Sequence, residues 1–158
     1  MRKKPPPTPE RLRSLFAYDR GSGVLSWRSG GAAGRLRKDG YLWVQVDGTS
    51  ELVHRIIWAT ETGSWPRWVD HDNLDRSDNR WSNLRDASPS QNLANTSVKK
   101  NNKLGIKGVH RLPNGSYRAH IHIDRKSRHL GLFSTPEQAK EAYDRAALAH
   151  WGGFARAA

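Results

Sequence analysis

Residues 68–92 read WVDHDNLDRSDNRWSNLRDASPSQN, and this stretch decides both the local fold and the chemistry of the chain. It places a carboxylate beside an imidazole, Asp70 and His71, and follows them with two amides, Asn83 and Asn92. Carboxylate and amide oxygens are hard ligands that suit Mg²⁺ or Mn²⁺. An imidazole that stays off the metal can take a proton from water. The combination is suited to metal-assisted phosphodiester cleavage.

The same stretch predicts a strand, a loop, a second strand and a helix. Residues 68–71 and 84–85 are the two short strands, and the polar residues 72–78 form the loop after the first strand. Ser88 is a helix N-cap, Pro89 suits the first turn, and Gln91 lies three residues after the cap, which is the capping-box spacing. The metal-ligand candidates thus fall at the end of a strand and within a helix.

Other polar side chains nearby are alternatives for the same roles. Asp72 and Asp75 could replace Asp70 as metal ligands, and Asn95 could replace Asn92. His54 is expected to be structural or to contact phosphate rather than to be catalytic. Taken alone, each of these residues is also typical of a polar turn or a helix cap. Three arginines could clamp phosphate or be solvated surface groups: Arg76, Arg80 and Arg85.

Charge is spread unevenly along the 158 residues, whose net charge is +12. Residues 70–96 hold 3 Lys/Arg against 5 Asp/Glu, whereas residues 1–69 hold 12 against 6 and residues 97–158 hold 12 against 4. Basic segments attract a polyanion, and an acidic segment between them can hold a cation. A basic protein with solvated charges is the simpler alternative.

The composition also excludes several classes of protein. The chain has no Cys, which removes disulfides, thiolate nucleophiles and Cys-ligated zinc. No stretch approaches the roughly 20 apolar residues that span a bilayer. The basic N-terminus has no apolar segment behind it, so it does not read as a secretory signal. We expect a soluble cytoplasmic protein without a membrane partner.

The C-terminal third predicts three strands, 107–112, 117–123 and 128–133, followed by an Ala-rich helix behind a capping box at Thr135. In the middle strand Tyr117, Ala119, Ile121 and Ile123 alternate with Arg118, His120 and His122. The apolar face should pack on the helix and leave a flat, basic face free. Residues 99–128 carry 9 Lys/Arg against 1 acid, and such a sheet face could lie in a DNA groove.

Part of the chain resembles the HNH homing-endonuclease family in order, spacing and flanking residues. The resemblance rests on these residues: His54-Arg55, Trp58, Asp70-His71, Asp78-Asn79-Arg80, Asn83-Leu84-Arg85, Asn92 and Asn95. It implies a ββα-metal active site in which His71 is the general base and Asp70 and Asn92 hold one divalent cation. Asn83 would brace the loop that aims His71. One such site would nick a single strand and leave 5′-phosphate and 3′-hydroxyl ends.

The C-terminal part resembles the plant APETALA/ethylene-response-factor DNA-binding domain, through Gly105–Val109, Tyr117–Ile121, Leu130–Phe133 and Glu141–Ala147. That family packs a three-stranded sheet on one helix, and the sheet enters the major groove. The register implies base-contact positions at His110, His120, His122, Ser127 and His129. The usual Arg, Glu and Trp are replaced at several of these, so the target sequence does not carry over. Phosphate contacts are expected from Arg111, Arg118, Arg125, Lys126 and Arg128.

Together these patterns predict an α+β DNA endonuclease with four segments. They are an N-terminal arm, helix and β-hairpin (1–53), an HNH module (54–96), a basic linker (97–104) and a DNA-binding domain (105–158). Residues 18–41 also resemble the leader of phage and prophage members of the nuclease group, which implies a bacterial or phage-infected host cell. The expected partner is double-stranded DNA, bound by a monomer or weak dimer. A DNA-binding regulator with an inactive nuclease scaffold is the main alternative, and an RNA-directed protein is a weaker one.

Overall fold

A computed structural model describes residues 4–98, 102–124 and 126–155. The chain divides into two compact units, residues 1–87 and 88–158. Arg125 and residues 99–101 of the predicted linker lie outside the described residues. No helix in the described part of the chain is long and apolar enough to cross a membrane.

The N-terminal unit begins with a short capped helix and continues through five strands. Helix α1 spans Pro9–Leu15, and the Thr8 side chain accepts a hydrogen bond from the Arg11 amide at 3.3 Å. Strands β1 (Phe16–Tyr18) and β2 (Leu25–Trp27) form an antiparallel pair. Strands β3 (Arg35–Leu36), β4 (Leu42–Val46) and β5 (Thr49–Leu52) form a three-stranded antiparallel sheet in that order.

Helix α2, Val53–Thr62, supplies much of the core of this unit and ends at Gly63, which is left-handed at φ 76°. Behind it, strand β6 (Val69–His71) pairs antiparallel with β7 (Leu84–Asp86), and a short 3₁₀ turn, Trp81–Asn83, leads into β7. The core brings α1, α2 and the strands together through Leu12, Phe16, Leu25, Val44, Val46, Val53, Ile56, Ile57, Val69 and Leu84. One face of β6 and β7 is therefore anchored in the core.

The C-terminal unit is a three-stranded sheet packed on one helix. Helix α3 spans Pro89–Ala94, strands β8, β9 and β10 span Val109–Arg111, Tyr117–Ile123 and Lys126–Phe133, and helix α4 spans Pro136–Trp151. The sheet is antiparallel with β9 in the middle. Its apolar face packs on α4 through Ala119, Ile121, Ile123, Ala139, Tyr143, Ala147 and Trp151. A second 3₁₀ turn, Gly152–Phe154, follows α4.

The α+β fold class predicted from sequence is confirmed, and local details differ. Strands β1 and β3 were not predicted, and β8 is shorter and β10 longer than expected. The capping box at Ser88 is present in full. At Thr135 only half of the predicted box forms, because the Gln138 side chain accepts a hydrogen bond from the Ser134 hydroxyl at 3.0 Å instead.

The predicted domain boundaries stay predictions. The structure groups α3 with the C-terminal unit, whereas the sequence pattern assigned it to the nuclease module. Residue 87 therefore divides the candidate site residues, with Asp70, His71 and Asn83 in one unit and Asn92 in the other.

Candidate active site and nucleic-acid interface

Asp70 and His71 lie side by side on β6 and are both buried, at 5% and 3% exposure. Residues directly opposite each other in an antiparallel pair share a face, and Asp70 is opposite Arg85 of β7. The Arg85 guanidinium reaches the Asp70 carboxylate at 2.9 Å from Nε and 2.8 Å from Nη2. This pairing gives the buried Asp70 side chain a charged partner.

The His71 imidazole is enclosed by three other side chains. Its Nε2 lies 3.0 Å from the side-chain oxygen of Asn79. The ring of His54 meets it edge-on at a centroid distance of 4.9 Å, and the Tyr41 ring lies at 5.8 Å. Burial lowers the pKa of His71, while the hydrogen bond to Asn79 and the charge of Asp70 oppose that shift. The ring is thus held neutral near neutral pH and remains able to accept a proton.

His54 is buried at 4% exposure, as the sequence analysis expected of a structural residue. Its Nδ1 atom has no hydrogen-bond partner in the described part of the chain. Burial, the neighbouring His71 and Arg55 together lower the pKa of His54 to about 3. This imidazole is therefore neutral, and its ring is tilted against that of Tyr41 at a centroid distance of 5.2 Å.

Asn83 ties two points of the loop that connects β6 to β7. Its side-chain oxygen accepts from the Asn73 amide at 2.9 Å, and its side-chain nitrogen donates to the Asp78 carbonyl at 2.7 Å. The predicted role of Asn83 as a brace of the loop stays a prediction. The side chain that reaches the imidazole is a different one, Asn79, to which the sequence analysis gave no role.

The other candidates near the site have different surroundings. Asp72 is exposed and pairs with Arg85. Asp75 is also exposed, and its carboxylate accepts hydrogen bonds from Ser77, which lower the pKa of Asp75. Of the three possible phosphate clamps, Arg85 is engaged with Asp70 and Asp72, and Arg80 forms an ion pair with Asp78 at 2.5 Å. The third, Arg76, donates to the Asp39 carbonyl at 2.9 Å. Asn92 lies on α3 and is half-buried.

The donor set fits a hard divalent cation. Among the described residues no group of three or more His, Cys, Asp or Glu could hold a metal ion, which excludes a multi-histidine site there. Mg²⁺ is commonly held by one or two protein oxygen ligands together with phosphate and water. A single buried carboxylate, that of Asp70, is compatible with this chemistry.

The C-terminal sheet has an outer face, on the side away from α4. Strand pairing places His110 opposite Arg118, His120 opposite His129 and His122 opposite Ser127, so these six residues share this outer face. The His110 and His120 rings stack at 4.9 Å, and the His120 and His122 rings meet at 5.1 Å. The structure thus brings together the predicted base-contact positions.

Of the predicted phosphate contacts that the structure describes, only Arg118 shares that outer face. Arg111, Lys126 and Arg128 are opposite Tyr117, Ile123 and Ile121, so the register assigns them to the side that packs on α4, where they lie exposed at the sheet edges. Among the described residues the outer face therefore carries one guanidinium, that of Arg118, and four imidazoles. It is thus less rich in Lys and Arg than the predicted basic face.

The outer face is also not flat along its whole length. A cleft of about 910 Å³ adjoins it, lined by Leu93, Val98, Lys103, Lys107, His110, His120 and His122. His120 is consequently half-buried, and burial together with the neighbouring His110, His122 and Arg118 lowers its pKa.

Comparisons with known proteins agree with the geometry of β6 and β7. Residues 51–94, which include Asp70, His71, Asn83 and Asn92, match the HNH endonuclease family. An uncharacterized HNH endonuclease of Acanthamoeba polyphaga mimivirus is 32% identical over 123 residues, which cover 76% of this chain. The chain spans 63% of the length of that relative.

One solved structure is also similar, that of the HNH homing endonuclease I-HmuI, which is described as binding and cleaving DNA. The TM-score is 0.41 at 18% identity, with 86% of this chain and 84% of that chain covered. A likeness this low does not by itself establish a common fold. The resemblance of residues 105–158 to the plant domain stays a prediction. Residues 51–94 are therefore similar to the HNH endonuclease family, and the viral relative is named as an HNH endonuclease.

Proposed function

We propose that this chain is a metal-dependent DNA endonuclease that hydrolyses phosphodiester bonds and nicks one strand at a time. The observation that carries the proposal is the buried Asp70–His71 pair at the end of β6, within the segment that matches the HNH family. A net charge of +12 suits a polyanionic substrate. The structural similarity of the C-terminal sheet and helix to the expected DNA-binding architecture is consistent with this choice.

In this proposal His71 is the general base. Because burial lowers its pKa, the ring is neutral at neutral pH and can take the proton of the attacking water. The neighbouring Asp70 charge and the Asn79 oxygen then favour the imidazolium that results. Asn83 keeps the loop after β6 in shape, so that the imidazole stays aimed at the water.

Asp70 and Asn92 would hold one Mg²⁺ or Mn²⁺. When bound, the cation would neutralise charge on the scissile phosphate and on the leaving 3′ oxygen. Arg85 orients the Asp70 carboxylate through its two short contacts. Asp72, Asp75 and Asn95 remain the alternative ligands.

The C-terminal unit would bind double-stranded DNA through the outer face of its sheet. Arg118, His110, His120, His122 and His129 are the proposed contacts on that face. Arg111, Lys126 and Arg128 at the sheet edges, with Arg80 and Arg85 of the nuclease module, are proposed contacts to the phosphate backbone. The protein would act as a monomer or weak dimer, since one site accounts for one nick.

The test is cleavage of supercoiled plasmid by wild-type protein and by His71→Ala, with Mg²⁺, with Mn²⁺ and with chelator. Removal of a general base should slow nicking by about 10²–10⁴-fold. His150→Ala, an exposed imidazole at the end of α4, is the matched control and should nick like wild type. Full activity of His71→Ala would refute the base assignment. Salt-sensitive DNA binding without any metal-dependent cleavage would instead favour the DNA-binding regulator.

A further inference from the structure

The N-terminal unit has a cavity of about 350 Å³ that the proposed function does not use, and Trp27 and Trp43 line it. Five further residues line this tryptophan cavity: Ala32, Gly34, Arg35, Val44 and Gln45. We propose that the cavity binds one unpaired nucleotide of DNA, with the base stacked on Trp43 and the phosphate paired with Arg35. The inference rests on the proposed function for the choice of DNA as the ligand, but the stacking can be measured without cleavage.

Trp43 is one of two tryptophans that lie outside the hydrophobic cores of the described part of the chain. Four others pack against the core of the N-terminal unit: Trp27, Trp58, Trp65 and Trp81. Trp151 lies in a core cluster of the other unit, whereas Trp43 and the exposed Trp68 belong to no cluster. Trp43 is half-buried on β4, so core packing does not account for its indole. A large aromatic surface next to a cavity is suited to stacking on a base.

The loop after β2 holds Trp27 and one wall of the cavity in place. The Trp27 ring packs on Phe16 at a centroid distance of 4.4 Å, and its amide donates to the Gly31 carbonyl at 2.9 Å. Gly34 has φ +116°, and a Cβ there would lie 2.9 Å from a methyl carbon of Val53. The backbone at Gly34 therefore lies directly on the core. A cavity with such fixed walls loses little conformational entropy when a ligand binds.

Strand pairing puts a cation and an amide on the same sheet face as Trp43. Arg35 of β3 is directly opposite Trp43, and Gln45 lies two residues further along β4, so these three side chains share a face. Arg35 is exposed and has no ion pair among the described residues, whereas Arg37 is paired with Asp39 at 3.1 Å. An unpaired guanidinium can bind a phosphate, and the Gln45 amide offers a donor and an acceptor to the edge of a base.

The size and charge of the cavity favour a single nucleotide as its ligand. Ligand pockets commonly have volumes of about 300–1,000 Å³, and this cavity is near the lower limit. None of its lining residues is acidic, and residues 28–38, which supply part of the wall, carry four Lys/Arg and no acid. This charge is complementary to a phosphate. Because every base has a π-face, stacking on Trp43 should tolerate all four bases.

The experiment is fluorescence anisotropy of the full chain with three DNA duplexes of one sequence, in chelator so that no metal-dependent cleavage occurs. One duplex is fully paired, the second has a one-nucleotide bulge, and the third has the same bulge without its base. A bulged base has already lost its pairing partner, so it can enter a pocket at little cost. We expect wild-type protein to bind the bulged duplex about 5–150-fold more tightly than the abasic one, as stacking on one aromatic side chain typically gives.

Variants of the cavity separate stacking from charge. Trp43→Ala should bring the ratio of the two affinities to about one, and Trp43→Phe, which keeps an aromatic ring, should retain part of the preference. Arg35→Ala should weaken binding of both bulged duplexes alike, because a phosphate contact does not sense the base. Trp68→Ala, at the other tryptophan outside a core, is the matched control and should keep the wild-type ratio.

Equal affinities of wild-type protein for the bulged and abasic duplexes, or a base preference that survives Trp43→Ala, would overturn the inference. A base preference that appears with an RNA duplex of the same design but not with DNA would overturn the choice of ligand. Wild-type protein that prefers the bulged base but does not nick plasmid with any metal would refute the proposed function and leave the cavity assignment intact.

Discussion

Replacement of His54 by Phe should remove a large part of the acid sensitivity of the N-terminal unit. His54 is 4% exposed, and its pKa in the folded chain is lowered to about 3 from an ordinary value of 6.5. Between these two values the unfolded chain binds a proton at this residue and the folded chain does not. The free energy of unfolding must therefore fall as the pH drops through that window.

The size of the effect follows from the two pKa values. Linkage gives a loss of about 2 kcal/mol between neutral pH and pH 5, and about 3 kcal/mol by pH 4, from this one imidazole. The phenyl ring of His54→Phe keeps the ring contact with Tyr41 and cannot be protonated. Whatever the stability of the variant at neutral pH, its loss of unfolding free energy on acidification should be smaller by those amounts.

Urea unfolding followed by tryptophan fluorescence measures this directly, because six of the seven Trp residues lie in residues 1–87. The comparison is the change in unfolding free energy from about pH 7 to about pH 5 for wild type and variant. His129→Phe, an exposed imidazole in the other unit, is the matched control and should behave like wild type. Equal losses in wild type and His54→Phe would show that the buried imidazole is not held neutral by the fold.

Two further outcomes are expected from the C-terminal unit. Arg118→Ala should lower the slope of log DNA affinity against log salt concentration by about 0.9. Arg128→Ala, which the register assigns to the other face of the sheet, should lower this slope less. A larger change in slope for Arg128→Ala than for Arg118→Ala would contradict the assigned faces. Gly108→Ala should destabilise the unit by about 2–4 kcal/mol in thermal unfolding. Gly108 has φ +64°, and a Cβ there would lie 2.2 Å from the His120 carbonyl oxygen and 2.5 Å from the Tyr143 ring. An unchanged unfolding midpoint would refute that packing.

The parts of the fold that were predictable from sequence are those specified by local patterns. The alternation along β9 has a period of two and separates Ala119 and Ile121 from Arg118 and His120, as the structure shows. The Ser88–Gln91 capping box depends only on residues three apart. Strands β1 and β3 are three and two residues long, which is too short for alternation to be recognised. Their strand character comes from partners that are distant in sequence.

The parts of the site that could not be predicted from the sequence depend on strand register and on the path of the loop after β6. Two asparagines, Asn73 and Asn79, occupy the loop after β6, and nothing in their spacing distinguishes them. Only the fold turns Asn79 inward to His71 and leaves Asn73 exposed. The Asp70–Arg85 ion pair and the division of the C-terminal cations between two faces likewise follow from which residues pair across strands.

The Tyr18 hydroxyl donates to the Asn79 carbonyl at 2.7 Å, and Gly23 packs against the peptide that joins Asn79 to Arg80. These contacts limit how the segment that matches the HNH family can be transferred to another protein. Residues 51–94 contain Asp70, His71, Asn83 and Asn92, so this segment would look like a self-sufficient cassette. The hydroxyl of Tyr18 and the close packing of Gly23 come from outside that cassette, yet they hold the residue that contacts the imidazole. A chimera that contains only residues 51–94 would keep these side chains but lose the contacts that hold Asn79 in place. A segment chosen for transfer must therefore begin before Tyr18, so that it includes both Tyr18 and Gly23.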